Sequence, residues 1–484
     1  MNNFLLYTLL GFIMSSYQCF STPLSEFVAT LEQQDYFKHA TLSIYVVSEK
    51  DQRVVFDYHG EKSLIPNSIL KIITTAAALK ILGQDFQFKT QLLGTGPIKK
   101  NALEGDLIIL GDGDPTLGSV HSGYNLSAEE QLQSWSLALK NRGITQVKGS
   151  IIGDASCFEK ALSAPTWLWE DLGNYYGAGT CGLNFHENFY TIFFKLGAVI
   201  GDATSIDKMD PMVPGLKVVN EVISAAKGTG DRAYVFGGEF ATTQYIRGTI
   251  PLDKPSFNIK GCIPNPAGFC AQQLKSTLEK EGIVVSGKAM SSFDRVAFIE
   301  HAVLAETHSP KLSEIVFLIN KLSLNLHSES LIKKMGEIRK NKGTHLAGLE
   351  VVHEYLRKLG VSLEGFNIVD GSGLSNKNLV TPKGMTDFLS KISKESYFPV
   401  FFESLPCNIA GDIGRLRSAF SKESLKGRIF AKTGYSSQGE SFAGFFINNQ
   451  GEKFSFCIIC NHFLGPSSIF REQMQRFFEI LFLT

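Results

Sequence analysis

The sequence predicts a mixed α/β (α+β) protein: an antiparallel sheet flanked by helices, interrupted by a large, mostly β insertion. Three observations carry this reading. Toward the C-terminus, "GRIFAKTGY", "ESFAGFFINN" and "KFSFCIICNHF" follow one another with short polar connections, as successive antiparallel strands do. Near the N-terminus, two strand-like runs lead directly into a helical one. Between these ends, Gly-rich turns ("LGTGP", "LGDGDPTLGS", "KGTGD") punctuate short β-like runs.

Taken in order, residues 1–21 hold the apolar run "FLLYTLLGFIM", and no charged side chain appears before Glu26. That run is short of the roughly 20 residues of a membrane span. It suits the apolar core of a secretory signal, with cleavage expected after Ser21, although no Lys or Arg precedes it. "TLSIYVV" (41–47) and "RVVFDY" (53–58) read as strands joined by a polar turn, and Pro66 closes the extended segment. From Ser68, "SILKIITTAAALKILG" has helix formers, an apolar face at 69, 72, 73, 76 and 79, and Gly83 as its stop. "KLSEIVFLINKLS", "THLAGLEVVHEYLRKLG" and the final "SSIFREQMQRFFEILFL" show helical apolar spacing. The expected organisation is one discontinuous domain from 22–92 and 261–484, with 93–260 inserted as one or two subdomains.

The length, 484 residues, exceeds what one core usually serves. A 44% hydrophobic and 19% charged composition argues against disorder. Basic and acidic residues balance at 47 each, with no basic stripe, which argues against nucleic acid as a partner. No later stretch is apolar enough to span a bilayer, so at most peripheral membrane contact is expected. Cys262 and Cys270 either close a small loop or stay free; Cys457 and Cys460, in a strand-like run, face opposite ways and make poor joint metal ligands. No cofactor is expected.

Ser68 and Lys71 stand three residues apart, on one face of a helix. A serine hydroxyl is a poor nucleophile until a base takes its proton. Lysine serves as that base only when burial or a neighbouring cation lowers its pKa. A second Ser-x-x-Lys, Ser330 to Lys333, reads as an ordinary helix-surface pair. "AKTGY" places Lys432, Thr433 and Gly434 on a strand, where a cation beside a hydroxyl suits a substrate carboxylate. "SLN" offers Ser323 for proton relay and Asn325 for a substrate peptide group. Ser256 and Asn258 form a rival Ser-x-Asn in a strand-like stretch.

Ser-x-x-Lys, Ser-x-Asn and Lys-Thr-Gly in this order occur in penicillin-binding proteins and β-lactamases. "LIPNSILKIITTAAALKILGQDFQFKT", "GDLIILGDGDPTLG", "APTWLWEDLGNYYGAG", "DGSGLSNKNLVTP" and "GRIFAKTG…SFAGFF" together resemble the class C, low-molecular-mass penicillin-binding proteins. That family comprises D-alanyl-D-alanine carboxypeptidases and endopeptidases, and the similarity spans about residues 40 to 460. The resemblance implies a β-lactamase/transpeptidase-like domain acting on peptidoglycan stem peptides outside the cytoplasm, most naturally in the periplasm. It also implies β-lactams as covalent inhibitors. Ser68 would attack the peptide between two D-alanines and Lys71 would accept its proton. The main-chain N–H groups of Ser68 and Tyr435 would form the oxyanion hole, with Gly434 letting that strand come close. Ser323 would return a proton to the leaving amine, Asn325 would hold substrate backbone, and Lys432 and Thr433 would bind the terminal carboxylate.

Two positions depart from the family pattern: Leu324 replaces a usual Asp or Asn, and Tyr435 a smaller Ser or Thr. A β-lactamase or esterase on the same fold, and an inactive wall-binding protein, are the alternative readings. The balance of carboxypeptidase and endopeptidase action, the stem-peptide diamino acid and homo-oligomer formation stay open at this level.

Overall fold

Five antiparallel strands form the first sheet, in the order Ile429–Ser436, Gly439–Ile447, Lys453–Asn461, Thr41–Ser48, Val54–Tyr58. The computed structural model describes residues 23–121, 126–253, 256–296 and 301–483; the expected signal segment lies outside them. Both faces of the sheet are covered, so its strands are apolar on both sides rather than alternating. Phe442, Phe446, Phe456 and Cys460 pack with the terminal helices Pro23–Glu32 and Ser467–Leu483. Ala443, Phe445, Cys457 and Ile459 pack instead against helices Lys71–Leu82, Leu312–Leu322, Asn325–Lys340, His345–Lys358 and Pro382–Ile392. Cys457 and Cys460 thus face opposite cores, as strand alternation requires. No helix among the described residues is long and apolar enough to cross a membrane.

A second core is built from the insertion. Its main sheet runs in the order Ala289–Ser292, Ile151–Asp154, Leu107–Leu110, Lys89–Thr95, His301–His308. Two three-stranded sheets adjoin it. The chain leaves the first core after Phe88 and rejoins it at Leu312, while Leu92 through Leu304 pack in the second.

The return therefore falls about 50 residues later than the expected boundary at 261. Helix Pro266–Lys280 has the apolar spacing of the later helices but packs on strand Ile151–Asp154, and His301–His308 pairs with Lys89–Thr95. Helical periodicity reports one buried face; it does not say which sheet covers that face. Cys262 and Cys270 are both buried free thiols. Cys262 donates to the Leu172 carbonyl (3.0 Å).

Candidate active site

The turn that carries Ser68 begins at Pro66. Asn67 takes a left-handed conformation (φ 53°), and Asn67–Leu70 is a short 3-10 turn continuous with helix Lys71–Leu82. Sheet side chains and carbonyls tether it: Asn67 Nδ2 donates to Gly439 O (3.2 Å), and Ser441 Oγ donates to Pro66 O (2.6 Å). Gly434 makes this approach feasible. A Cβ there would sit 2.3 Å from Ser441 Oγ, 2.8 Å from Pro66 O and 2.9 Å from Asn67 Cβ. The glycine thus lets the strand pack beside the turn that carries Ser68, a contact additional to the approach to a reacting carbonyl expected from the sequence. Gly434→Ala is expected to lower stability by about 1–3 kcal/mol, as overpacking does, and to slow acylation. Thermal unfolding and stopped-flow labelling with a fluorescent penicillin check both effects.

Ser68 is half-buried, whereas Lys71 is 0% and Lys432 1% exposed. Lys71 Nζ lies 3.0 Å from Ser68 Oγ, 2.6 Å from Asn325 Oδ1 and 2.5 Å from Ser372 O. Those three acceptors match the three protons of an ammonium. The neutral amine can still donate to Asn325 and Ser372, neither of which has a proton to give at those atoms. Its lone pair then has only Ser68 Oγ to address, the one partner able to donate. Geometry therefore turns loss of one ammonium proton into activation of one hydroxyl. Burial pushes the Lys71 amine down to about 7, against the opposing pull of Asp370 and Glu329.

Lys432 Nζ donates to Ser323 Oγ (2.9 Å) and to Thr433 O (2.7 Å). Burial, with Lys71 and Arg415 adding like charge, holds the Lys432 amine well below the ordinary lysine range. Ser323 caps helix Leu312–Leu322 in a left-handed conformation (φ 65°), and Asn325 opens the next helix. The "SLN" segment is thus a tight corner between two helices that sends Ser323 to Lys432 and Asn325 to Lys71. Asn325 Nδ2 also donates to Tyr176 O (2.8 Å) from the insertion. The rival Ser256 and Asn258 lie on strand Ser256–Cys262 of the insertion.

A cleft of about 990 Å³ joins these groups, lined by Ser68, Ser323, Asn325, Thr433 and Tyr435 and closed on the insertion side by Asp171 and Tyr176. Tyr435 is 66% exposed at its rim. The second pair, Ser330 and Lys333, is not on the surface: both are fully buried, with Lys333 Nζ donating to Ala161 O and Thr180 O. Helix Asn325–Lys340 packs Leu331, Ile332 and Met335 into the first core, while its other side meets the insertion through polar contacts of Ser330, Lys333 and Lys334.

Sequence reasoning missed the turn behind Lys71. Asp370 is buried and accepts from Trp167 Nε1 (3.0 Å), Gly373 N (2.8 Å), Ser375 N (2.7 Å) and Asn378 Nδ2 (2.8 Å). Gly373 (φ 78°) has Asn67 O where a Cβ would stand, 2.0 Å away. The "DGSG" tetrapeptide is a turn signal, and an Asp opening it is the local cue that could have marked a buried, hydrogen-bonded loop.

Comparison with known proteins finds relatives over most of the chain. The chain is 27% identical over 458 residues, 93% of its length and 82% of the relative's, to a D-alanyl-D-alanine carboxypeptidase of Actinomadura sp. (strain R39). It is 26% identical over 413 residues, 84% of its length and 83% of the relative's, to the D-alanyl-D-alanine carboxypeptidase DacB of Haemophilus influenzae. The crystal structure of penicillin binding protein 4 (dacB) from Haemophilus influenzae superposes with a TM-score of 0.82 at 24% identity, covering 95% of this chain and 99% of that one. Residues 24–479 match the model of the D-Ala-D-Ala carboxypeptidase 3 (S13) family, and the chain belongs to that family.

Proposed function

We propose that this protein is a serine D,D-peptidase that removes the terminal D-alanine of peptidoglycan stem peptides and cleaves the equivalent D-residue bond in cross-links. Ser68 is its nucleophile, and an acyl-enzyme is its intermediate. The observation that carries this reading is the hydrogen bond from Lys71 to Ser68, with Asn325 and Ser372 fixing the amine's other two directions.

In this mechanism Lys71 accepts the Ser68 proton as Oγ attacks. Charge develops on the carbonyl oxygen and is met by the N–H groups of Ser68 and Tyr435; one such donor is typically worth about 2.7–4 kcal/mol. Strand Ile429–Ser436 is the outer strand of its sheet, occupied at Ala431 by Pro406 O and facing the cleft at Thr433 and Tyr435. A substrate backbone can lie along that edge. Asn325 Nδ2 gives one hydrogen to Tyr176 O and keeps a second for a substrate carbonyl. Ser323, held by Lys432, relays a proton to the leaving amine. Water then hydrolyses the ester. A β-lactam acylates Ser68 in the same way and persists, because its ring-opened leaving group stays attached and obstructs that water.

Lys432 and Thr433 receive the terminal carboxylate. An arriving anion reverses what burial and like charge do to Lys432, so carboxylate binding is coupled to proton uptake. Lys432→Gln is expected to raise KM for a D-Ala–D-Ala substrate roughly 10- to 100-fold, the loss of one charge-assisted bond. An analogue with its terminal carboxylate amidated should be poor for both proteins, and steady-state kinetics on the two substrates decides.

Action on the wall requires export, which the apolar run Phe4 to Met14 would direct, most naturally to a periplasm. Incubation with purified pentapeptide monomers and cross-linked dimers, followed by mass spectrometry, tests the activity. Products shorter by one D-alanine and monomers released from dimers are expected; unchanged substrates would refute the reading. Rapid release of hydrolysed penicillin would favour a β-lactamase instead.

A further inference from the structure

Helix Asn325–Lys340 carries a second group one turn beyond Asn325. Glu329 is 0% exposed, and its carboxylate accepts from Gly371 N (3.0 and 3.1 Å) and Ser372 N (2.7 Å). Ser372 is the residue whose carbonyl meets Lys71 Nζ. Residues i and i+4 share a helix face, so one face sets two of the three directions around that amine. Asn325 acts directly, and Glu329 acts through the turn. From the far side, His345 Nε2 stands 3.4 Å from Glu329 Oε2, and its Nδ1 stands 3.3 Å from Glu159.

We propose that Glu329 is a positioning residue for acylation: its buried carboxylate pins the Gly371–Ser372 turn, which presents the Ser372 carbonyl to Lys71, and its charge biases the proton on that amine. The proposal rests on the reading of Lys71 as the base. Burial works against the Glu329 charge, but His345 and the turn's N–H donors outweigh it and hold the carboxyl below its usual range. The charged groups facing Lys71 are Glu329, Asp370 and Lys432. Those facing Glu329 are His345, Lys333 and Asp370. Two anions behind Lys71 favour its ammonium, so removing one favours the free amine at a given pH.

The test is the rate constant of acylation by a fluorescent penicillin, measured from pH 5 to 9 on the full protein. Glu329→Gln should move the acid limb of the profile about one unit toward lower pH. Glu329→Asp keeps the charge but not the reach. It should leave the limb in place while the plateau falls roughly 10- to 100-fold, as small misplacements do. Asp370, pushed up to about 6 by burial and Glu329, titrates in the same window. The shift caused by Glu329→Gln should therefore persist in an Asp370→Asn background. A limb unmoved by Glu329→Gln, or moved equally by both variants, would overturn the proposal. If Glu329→Gln does not fold, Glu329→Asp decides alone: a wild-type plateau would overturn the proposal and a fallen one with the limb in place would support it. Failure of the underlying reading looks different, since the wild-type protein itself would then not be labelled.

Discussion

Ser68→Ala is expected to reduce D-Ala–D-Ala cleavage by roughly 10⁴–10⁶-fold and to abolish stoichiometric labelling by penicillin. The hydroxyl meets the Lys71 amine, and its neighbours Asn67, Ile69 and Leu70 are the buried residues that hold the turn. Removing one half-buried oxygen therefore leaves the packing intact, and thermal unfolding should match the wild type. Fluorescence on a denaturing gel, alongside turnover of a pentapeptide, checks the loss. The other Ser-x-x-Lys offers no substitute: Ser330 is fully buried, and the Lys333 amine is committed to two main-chain carbonyls. Undiminished labelling of Ser68→Ala would mean that a different nucleophile operates.

Lys71→Met should cost about 10²–10⁴-fold in acylation, the usual range for a lost general base. Methionine approximates the volume of the lysine stem, so the core around helix Lys71–Leu82 is retained. In the wild type the sign of the pH effect follows from the amine's position at about 7. Below that pH the ammonium dominates, all three of its protons are directed to acceptors, and Ser68 keeps its own. Above it the free amine has a lone pair for Ser68. The rate should fall tenfold per unit as pH drops below the limb and level off above it. The residual rate of Lys71→Met should lack this limb. Stopped-flow acylation across pH measures both, and a limb that survives in Lys71→Met would assign it elsewhere.

The contact between Ser68 and Lys71 was legible because it is local. Ser68 and Lys71 sit three residues apart at a helix start, and that spacing alone fixes their face. Lys432, Thr433 and Gly434 were legible as a strand because the three C-terminal runs are long, apolar and separated by obvious turns. The corner at Ser323 and Asn325 could be placed between two helices, but not its left-handed turn, which sends the two side chains to different lysines.

What escaped was non-local. Whether a helix lies at the surface depends on what stands on its second side, and the second side of helix Asn325–Lys340 is covered by polar contacts to the insertion. The helix Pro266–Lys280 carries the periodicity of the first core's helices yet belongs to the insertion, which moved the boundary. Asp370 opens a turn signal that gives no sign of its burial, and Glu329 carries no motif of its own. Their importance comes from main-chain N–H groups that only the folded turn aligns.

The most direct test of the account is to react the protein with a penicillin, digest it and locate the adduct by mass spectrometry. One penicilloyl group on Ser68, in the peptide that also contains Lys71, is the predicted result. An adduct on any other residue, or none while the protein is folded and cleaving muropeptides, would contradict it.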